Sequence, residues 1–379
     1  MAGGKIIIVG GGVIGLSIAE HLARNGHQPI VLDQGSFAKE ASWAGAGYLD
    51  LRSAARVGGA FFEICKRSYD LFPGWADRLH KESGIDPELV DSGSLDTAFS
   101  NEEEEAIRQM EMNLQAQGLK GQWMTPTEAV HIEPQLSPQV KSAFYFKETS
   151  QVRSPRLSRA LLKVLQKNGA ELREVEPVED FLTAGNKVRG VRTAKGTLEA
   201  DQVVLASGAW SGLLAGKLKL SLPVKPFRGQ VVMFRSKPGT LRHILFTGIQ
   251  KAFTYLVPRL DGHIYVGSTL EDAGFEKATT PEGMAKLKTN AAKLLPGLSQ
   301  QLIEDTWSGL RPGSIDGWPY LGPAPGLENL WVATGHFTHG LLLSAVTGQL
   351  MSQALLGEKP AMDLGPFALD RKPHATAGI

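Results

Sequence analysis

The sequence predicts an α/β fold: a parallel sheet flanked by helices, with antiparallel strands inserted between its parts. Three observations predict it. A strand, a helix and a second strand follow one another within the first 33 residues. Short apolar runs alternate with amphipathic stretches again at 155–206 and at 330–355. Between 222 and 267 the pattern changes to apolar and polar residues in alternation. The first two patterns require parallel pairing through right-handed crossovers. The third is that of antiparallel strands with one wet face. Two interleaved domains follow, in keeping with a length of 379 residues and the usual size of about 100–200 residues per domain.

Lys5–Val9 is a β-branched apolar run that stops at Gly10, as a buried strand does. From Val13 to Arg24, Ile14, Ile18 and Leu22 recur at helical spacing, and Gly26 ends the helix. Pro29–Leu32 is the second strand, closing at Asp33. Phe61–Glu82 is helical with a break at Pro73–Gly74, where the proline lacks an N–H. Asn101–Gln117 is a helix opening on Glu102–Glu105, acids that the helix dipole favours and that read as a solvated end. Pro155–Lys167 is amphipathic, with proline in its first turn and Gly169 after its last. Strands are predicted at Glu171–Val178, Val188–Thr193 and Gln202–Ala206. Antiparallel strands are predicted at Leu222–Phe234, Thr254–Pro258 and His263–Gly267. Pro281–Leu295 is a helix, Leu330–Ala333 a short strand, and Leu341–Leu355 an apolar-rich helix after Gly340.

Composition narrows the function classes. Apolar residues at 42% and charged residues at 21% exclude a disordered, collagenous, coiled-coil or disulfide-scaffold chain. A net charge of +1 leaves no polyanion footprint, so no nucleic-acid partner is expected. Cys65 is alone, which excludes a disulfide framework within the chain and fits a reducing, cytoplasmic setting. The apolar stretch Ile6–Ala19 is too short to span a bilayer, so no membrane span is expected. Glycine is the outlier, with 43 residues against an average share of roughly 7%. Twelve of them fall within the first 59 positions, which marks a place where backbone approaches something closely.

Gly10-Gly11-Gly12-Val13-Ile14-Gly15 fits G-x-G-x-x-G through Gly10, Gly12 and Gly15. That spacing serves a tight turn at Gly10, approach to a pyrophosphate at Gly12, and helix-on-strand packing at Gly15. The helix opening at Val13 and Ile14 then turns its positive end to the phosphates. Asp33, closing the second strand, is placed to accept hydrogen bonds from ribose hydroxyls. The pattern is a dinucleotide site and leaves NAD and FAD open. Three further segments lean toward FAD. KEASWAGAGYL (Lys39–Leu49) gathers Ser42, Ala44, Gly45 and Gly47 where backbone must lie flat against a large ligand. VVLASGAWSG (Val203–Gly212) runs from a strand into a turn holding Ser207, Gly208 and Trp210. ATGHFTHGLL (Ala333–Leu342) joins a strand to a helix start at Gly340 and Leu341 through Gly335, His336, Phe337 and His339. That helix N-terminus can stabilise negative charge on a reduced flavin ring. His336 and His339 have no evident third ligand, so no metal is expected.

With PFRGQ (Pro226–Gln230), VGSTLE (Val266–Glu271) and SGLRPGSIDGWPYLGP (Ser308–Pro323), these segments resemble the D-amino-acid oxidase superfamily. The order holds from about residue 5 to residue 360, and within the superfamily the likeness is to the glycine oxidases of thiamine biosynthesis. The resemblance implies a Rossmann-like FAD-binding domain from 1–85, 150–218 and 304–379. It implies an α+β substrate-binding domain with a large antiparallel sheet from 86–149 and 219–303. It further implies non-covalent FAD and oxidation of glycine, sarcosine, D-alanine or D-proline to the imine and 2-oxo acid. Oxygen would be the acceptor and hydrogen peroxide the product. A homo-oligomer, such as the tetramers that occur in that family, is implied too. By position, the carboxylate-binding arginine falls on Arg311 in GLRPG and the active-site tyrosine on Tyr255 in YLVPR. Tyr48 and Leu270 fall at positions lining the substrate pocket. Val178 falls at an adenine-side backbone contact, and Arg228 at the flavin or the domain junction. A D-amino-acid or imino-acid dehydrogenase that reduces a quinone is the alternative.

The chemistry asks for these residue types. A guanidinium offers a planar fork to a carboxylate, and a phenol adds one donor. Once the amine is deprotonated, transfer to a flavin needs no dedicated acid or base. The chain departs from some members at Thr338-His339, where they read Arg-Asn, and at Phe253, where a histidine can occur. Walker A, G-x-S-x-G and H-E-x-x-H patterns are absent.

Overall fold

A six-stranded sheet and an eight-stranded sheet carry the chain, which a computed structural model describes at residues 4–247 and 253–374. The first sheet runs in the order Tyr320–Pro323, Leu330–Thr334, Gln202–Leu205, Ile6–Val9, Ile30–Leu32, Glu171–Arg173. All its pairings are parallel except the outermost, between Tyr320–Pro323 and Leu330–Thr334. Alternate residues of Ile6–Val9 serve opposite faces. Ile6 and Ile8 pack on the helices Val13–Arg24, Gly59–Ser83, Ser154–Lys167 and Gly340–Leu355. Ile7 and Val9 pack on Phe181, Val188 and Val191 of a three-stranded antiparallel sheet. Both faces are covered, as a parallel sheet requires.

Two local expectations are corrected here. The predicted strand Glu171–Val178 is two strands: Glu171–Arg173 ends the parallel sheet, and Val178–Ala184 opens the three-stranded one. Between them Val175 takes φ +51°, and buried Glu176 is held by Arg173 (3.2 Å), Thr193 (3.0 Å) and Lys195 (2.9 Å). The predicted break at Pro73 does not occur, and Gly59–Ser83 is one helix of 25 residues. Phe72 and Trp75 are buried on either side of the proline, and Trp75 Nε1 donates to buried Glu20 (3.2 Å). Tertiary packing overrides the loss of one backbone hydrogen bond.

The second sheet runs Ile303–Ser314, Val224–Arg235, His263–Gly267, Thr254–Pro258, Ile244–Thr247, Ser94–Ala98, Ser142–Phe146, Gln122–Met124. It is antiparallel except where Ile244–Thr247 meets Ser94–Ala98. The expected wet face is absent at its centre. Leu256 and Val266 lie under Leu287, Ala291 and Leu294 of the helix Pro281–Leu294. Tyr255, Val257 and Tyr265 face Ala46 and Tyr48 from the other side.

Arg311 lies in the edge strand Ile303–Ser314, not in the loop that its flanking Pro312 and glycines suggest. Arg228 N–H donates away from that strand, to Glu271 O (2.8 Å). By alternation, Pro226 and its opposite Pro312 also sit where no ladder N–H is needed. No helix among the described residues is long and apolar enough to cross a membrane.

Candidate active site

The glycine turn is built by contacts that only some of its glycines require. At Gly10 the backbone takes φ +115°, and an added Cβ would strike Ala206 O. At Gly15 a Cβ would strike Gly10 O, so this glycine seats the helix on the turn. Gly12 differs: its φ is −74°, and a Cβ would meet only Ser42 Oγ, at 3.3 Å. The space before Gly12 is a cradle that a side chain would fill. Ser42 Oγ accepts from Val13 N–H (2.9 Å), tying the KEASWAGAG segment to the helix start. Asp33 has a further task that the spacing did not reveal. Its Oδ2 accepts from Gly11 N–H (2.8 Å) and its Oδ1 from Gly35 N–H (2.9 Å). Burial pushes its carboxyl above the ordinary value, against the pull of those two donors.

From this turn a cavity of about 400 Å³ extends to Arg311. Gly10, Gly12, Val13, Ile14, Asp33, Ser42, Gly45, Val178, Ser207, Gly208 and Trp210 line it. So do His336, Phe337, Gly340 and Leu341 from the last loop. The structure therefore brings together segments from opposite ends of the chain, from Val9 to Leu341. Sequence reading missed Lys39, Glu40, Pro312 and Thr338, which line it too. Thr338 was signalled only as a departure at the position where some members carry arginine.

The remaining expected residues stand behind or beside the cavity. Gly15 packs on the turn, Ala44 lies against Gly309, and Gly47 (φ +77°) lies against Val152 O. Gly335 (φ +77°) makes the bend before His336. Arg228 does not reach the cavity: its Nε donates to Glu271 (2.8 Å) and its Nη1 to Ala278 O (3.0 Å). His339 also turns away, with Nε2 on Ser53 Oγ (2.8 Å) and its ring edge-on to Phe61. Leu270 is 49% exposed and outside the cavity.

His336 is buried with Nε2 on Thr347 Oγ1 (3.2 Å). Burial, and then His339, lower its pKa from the ordinary 6.5 to about 3. The unfolded chain thus binds the extra proton between those values, and the stability from neutral His336 is complete only above the unfolded value. It is lost as pH falls through that window, at up to about 1.4 kcal/mol per pH unit. His21 and His339, each lowered to about 4, act with the same sign. The His336→Gln variant should show a shallower acid limb in Tm against pH. Superimposable limbs would contradict the assignment.

At the other end of the cavity, Arg311 Nη2 donates to Ser268 Oγ (2.6 Å) and Nη1 to Thr269 O (3.2 Å). The guanidinium lies over Gly229, where any Cβ would displace it. Among the described residues no carboxylate lies within 4.0 Å of Arg311, so its charge has no protein counter-ion. The Tyr255 hydroxyl covers Gly267, next in the chain to Ser268. Tyr48 packs against Tyr255 at 5.0 Å and Phe246 at 5.5 Å between ring centres, and Phe253 closes the group 6.3 Å from Tyr255. Burial pushes the Tyr48 hydroxyl up, keeping it a proton donor. Tyr255 and Tyr48 are not among the residues that line the cavity, whereas Arg311 is. A fork-shaped cation reached through a dinucleotide cradle can fix a small carboxylate next to a redox ring.

Known proteins are similar to this chain in sequence and fold. The FAD dependent oxidoreductase family (DAO) matches residues 5–354. Glycine oxidase of Pseudomonas putida is 38% identical over 371 residues, covering 96% of this chain and 98% of that protein. The crystal structure of glycine oxidase from Geobacillus kaustophilus superposes with a TM-score of 0.92 at 33% identity, covering 99% of this chain and 100% of that one. The bifunctional protein ThiO/ThiG of Nostoc is 32% identical over 379 residues, covering 99% of this chain and 56% of that protein.

Proposed function

The chain belongs to the DAO family of FAD-dependent oxidoreductases, and on that premise we propose that it oxidatively deaminates glycine and other small amines with oxygen as acceptor. The observation that carries this reading is Arg311, a cation with no carboxylate partner among the described residues, in a cavity that also holds a dinucleotide cradle. The likeness to glycine oxidases and to the ThiO/ThiG protein supports glycine-sized substrates and a role in thiazole supply for thiamine.

The cradle fits FAD. The turn from Gly10 to Gly15 would hold the pyrophosphate at the helix N-terminus, Asp33 the ribose, and Val178 the adenine side. Gly45 and the loop from His336 to Leu341 would bound the ring system. When bound, FAD supplies a two-electron acceptor. Arg311 clamps the substrate carboxylate as a fork, and the Tyr255 and Tyr48 hydroxyls donate beside it. Pinning the carboxylate fixes the orientation of the α-carbon, which lowers the entropic part of the barrier. Ser268 and Thr269 hold the guanidinium in place before substrate arrives. The imine formed from the substrate is hydrolysed by water to the 2-oxo acid and ammonia.

The same reading takes 1–85, 150–218 and 304–379 as the cofactor domain and 86–149 with 219–303 as the substrate domain. Ile303–Ser314 then bridges the two, since it pairs with Val224–Arg235 and carries Arg311 to the cavity. Cytoplasmic location and a homo-oligomer belong to this proposal. Measured with glycine in air, one hydrogen peroxide should form per ammonia released. Ammonia released only with an artificial dye or quinone, without peroxide, would favour the dehydrogenase reading instead.

A further inference from the structure

Residues 268–280 join the strand His263–Gly267 to the helix Pro281–Leu294 and belong to no strand or helix themselves. Two buried side chains, Arg228 and Gln230, anchor this segment at its base. Arg228 and Glu271 exchange backbone hydrogen bonds (2.8 and 3.0 Å), and Arg228 Nε donates to the Glu271 carboxylate (2.8 Å). Arg228 Nη1 donates to Ala278 O (3.0 Å). Gln230 Nε2 donates to Glu271 Oε1 (2.7 Å), and Gln230 Oε1 accepts from Thr280 N–H (2.7 Å). Between those anchors Gly274–Ala278 is exposed, with a turn at Gly274 (φ +55°).

The tip of this loop touches two residues that line the cavity, Trp210 and Glu40. The Phe275 ring lies 5.5 Å from the Trp210 ring, centre to centre. Lys277 Nζ donates to both oxygens of Glu40 (3.0 and 2.9 Å). Ser308 Oγ donates to the Lys277 carbonyl, which fixes the backbone at that point. Trp210 follows the strand Gln202–Leu205 and Glu40 precedes the short helix Ala41–Ala44, so the two contacts fall on different segments of the wall. Phe275 and Lys277 do not line the cavity themselves and hold these wall residues from outside. Phe275 is 41% exposed, and the side chains of Lys277 and Glu40 are 46% and 39% exposed. Contacts this exposed contribute little to folding. A firm base with a weak tip lets the tip part from the wall while the anchors stay folded.

We propose that the loop 272–278 is a clasp on the cofactor cavity, and that Phe275 and Lys277 set how fast FAD leaves it. The proposal rests on the FAD reading of that cavity. The loop ties two separate wall segments to one support, the strand Val224–Arg235 that carries Arg228 and Gln230. Letting either contact go frees its segment to move outward, the motion that release of a large ligand from a partly enclosed cavity requires. The clasp acts on the wall and touches neither cofactor nor substrate, so Phe275 and Lys277 are positioning residues. Salt screens an exposed ion pair and leaves a ring contact in place, which gives the two contacts different signatures.

The test reads FAD release from the rise in FAD fluorescence when FAD-loaded protein is diluted. Lys277→Met keeps the stem and removes the charge, and should speed release about threefold. Phe275→Ala should speed it about tenfold. Release from the wild type should rise with salt more steeply than release from Lys277→Met, and Lys277→Arg should restore both rate and salt slope. Asp272→Asn is the control: its pair with Lys225 (2.7 Å) is exposed and lies in the same loop, yet neither residue lines the cavity. Its release rate should match the wild type, and the apoprotein Tm should hold in every variant. If Phe275→Ala does not fold, Lys277→Met and its salt slope decide alone. Unchanged release in both wall-contact variants, or equal acceleration in Asp272→Asn, overturns the proposal while the FAD reading stands. Wild-type protein that binds no FAD removes that reading and this proposal together.

Discussion

Arg311→Ala should raise the KM for glycine about 30-fold or more, because loss of a buried fork-to-carboxylate pair costs about 2–5 kcal/mol. The kcat/KM value should fall by at least the same factor. The structure explains why the loss is large. Ser268 and Thr269 accept from two guanidinium nitrogens and hold the side chain over Gly229, and no carboxylate competes for it among the described residues. Lysine should recover only part of the loss, since an ammonium offers no planar fork. An unchanged KM in Arg311→Ala would remove this residue from the substrate site.

Gly12→Val should give a folded protein that does not retain FAD. A Cβ at Gly12 meets only the Ser42 hydroxyl, at 3.3 Å, and the backbone there is ordinary for any residue. The added side chain therefore fills the cradle and leaves the fold intact. Cofactor affinity should drop at least about 100-fold, about 2.7 kcal/mol, read from quenching of FAD fluorescence on binding. Gly15→Val is the contrast. Its Cβ would strike Gly10 O, so the helix must move and the apoprotein itself should lose about 1–3 kcal/mol. Equal effects of the two substitutions on the apoprotein melt would contradict this division of roles.

What sequence reading captured was local. The strand–turn–helix at Lys5–Arg24 is legible because periodicity, glycine spacing and an acid at Asp33 agree within one short unit. The position of Arg311 on the cavity wall agrees with the expectation, but its place in a strand was not legible. Proline and glycine beside it suggest a loop, and only the register against Pro226 shows why an edge strand tolerates them. Pro73 was misleading for a related reason: its effect on a helix depends on what Phe72 and Trp75 pack against. Gly229 and Gly267 lie in segments that carry the resemblance, yet nothing in the sequence tells that the first leaves room for the Arg311 side chain and the second for that of Tyr255. The wall contacts of Phe275 and Lys277 were invisible, since their partners Trp210 and Glu40 come from distant parts of the chain. His339 was overvalued, because chain proximity to the cavity does not say which way a ring turns.

The central claim is that this chain binds FAD and removes two electrons from a small amine. The direct measurement is the visible absorption of the purified yellow protein under anaerobic conditions as glycine, sarcosine, D-alanine and D-proline are added in turn. Bleaching of the oxidised flavin band by glycine or sarcosine, with full return of the band and release of hydrogen peroxide on admitting air, is the expected result. A flavin band that stays oxidised with all four amines would contradict the account.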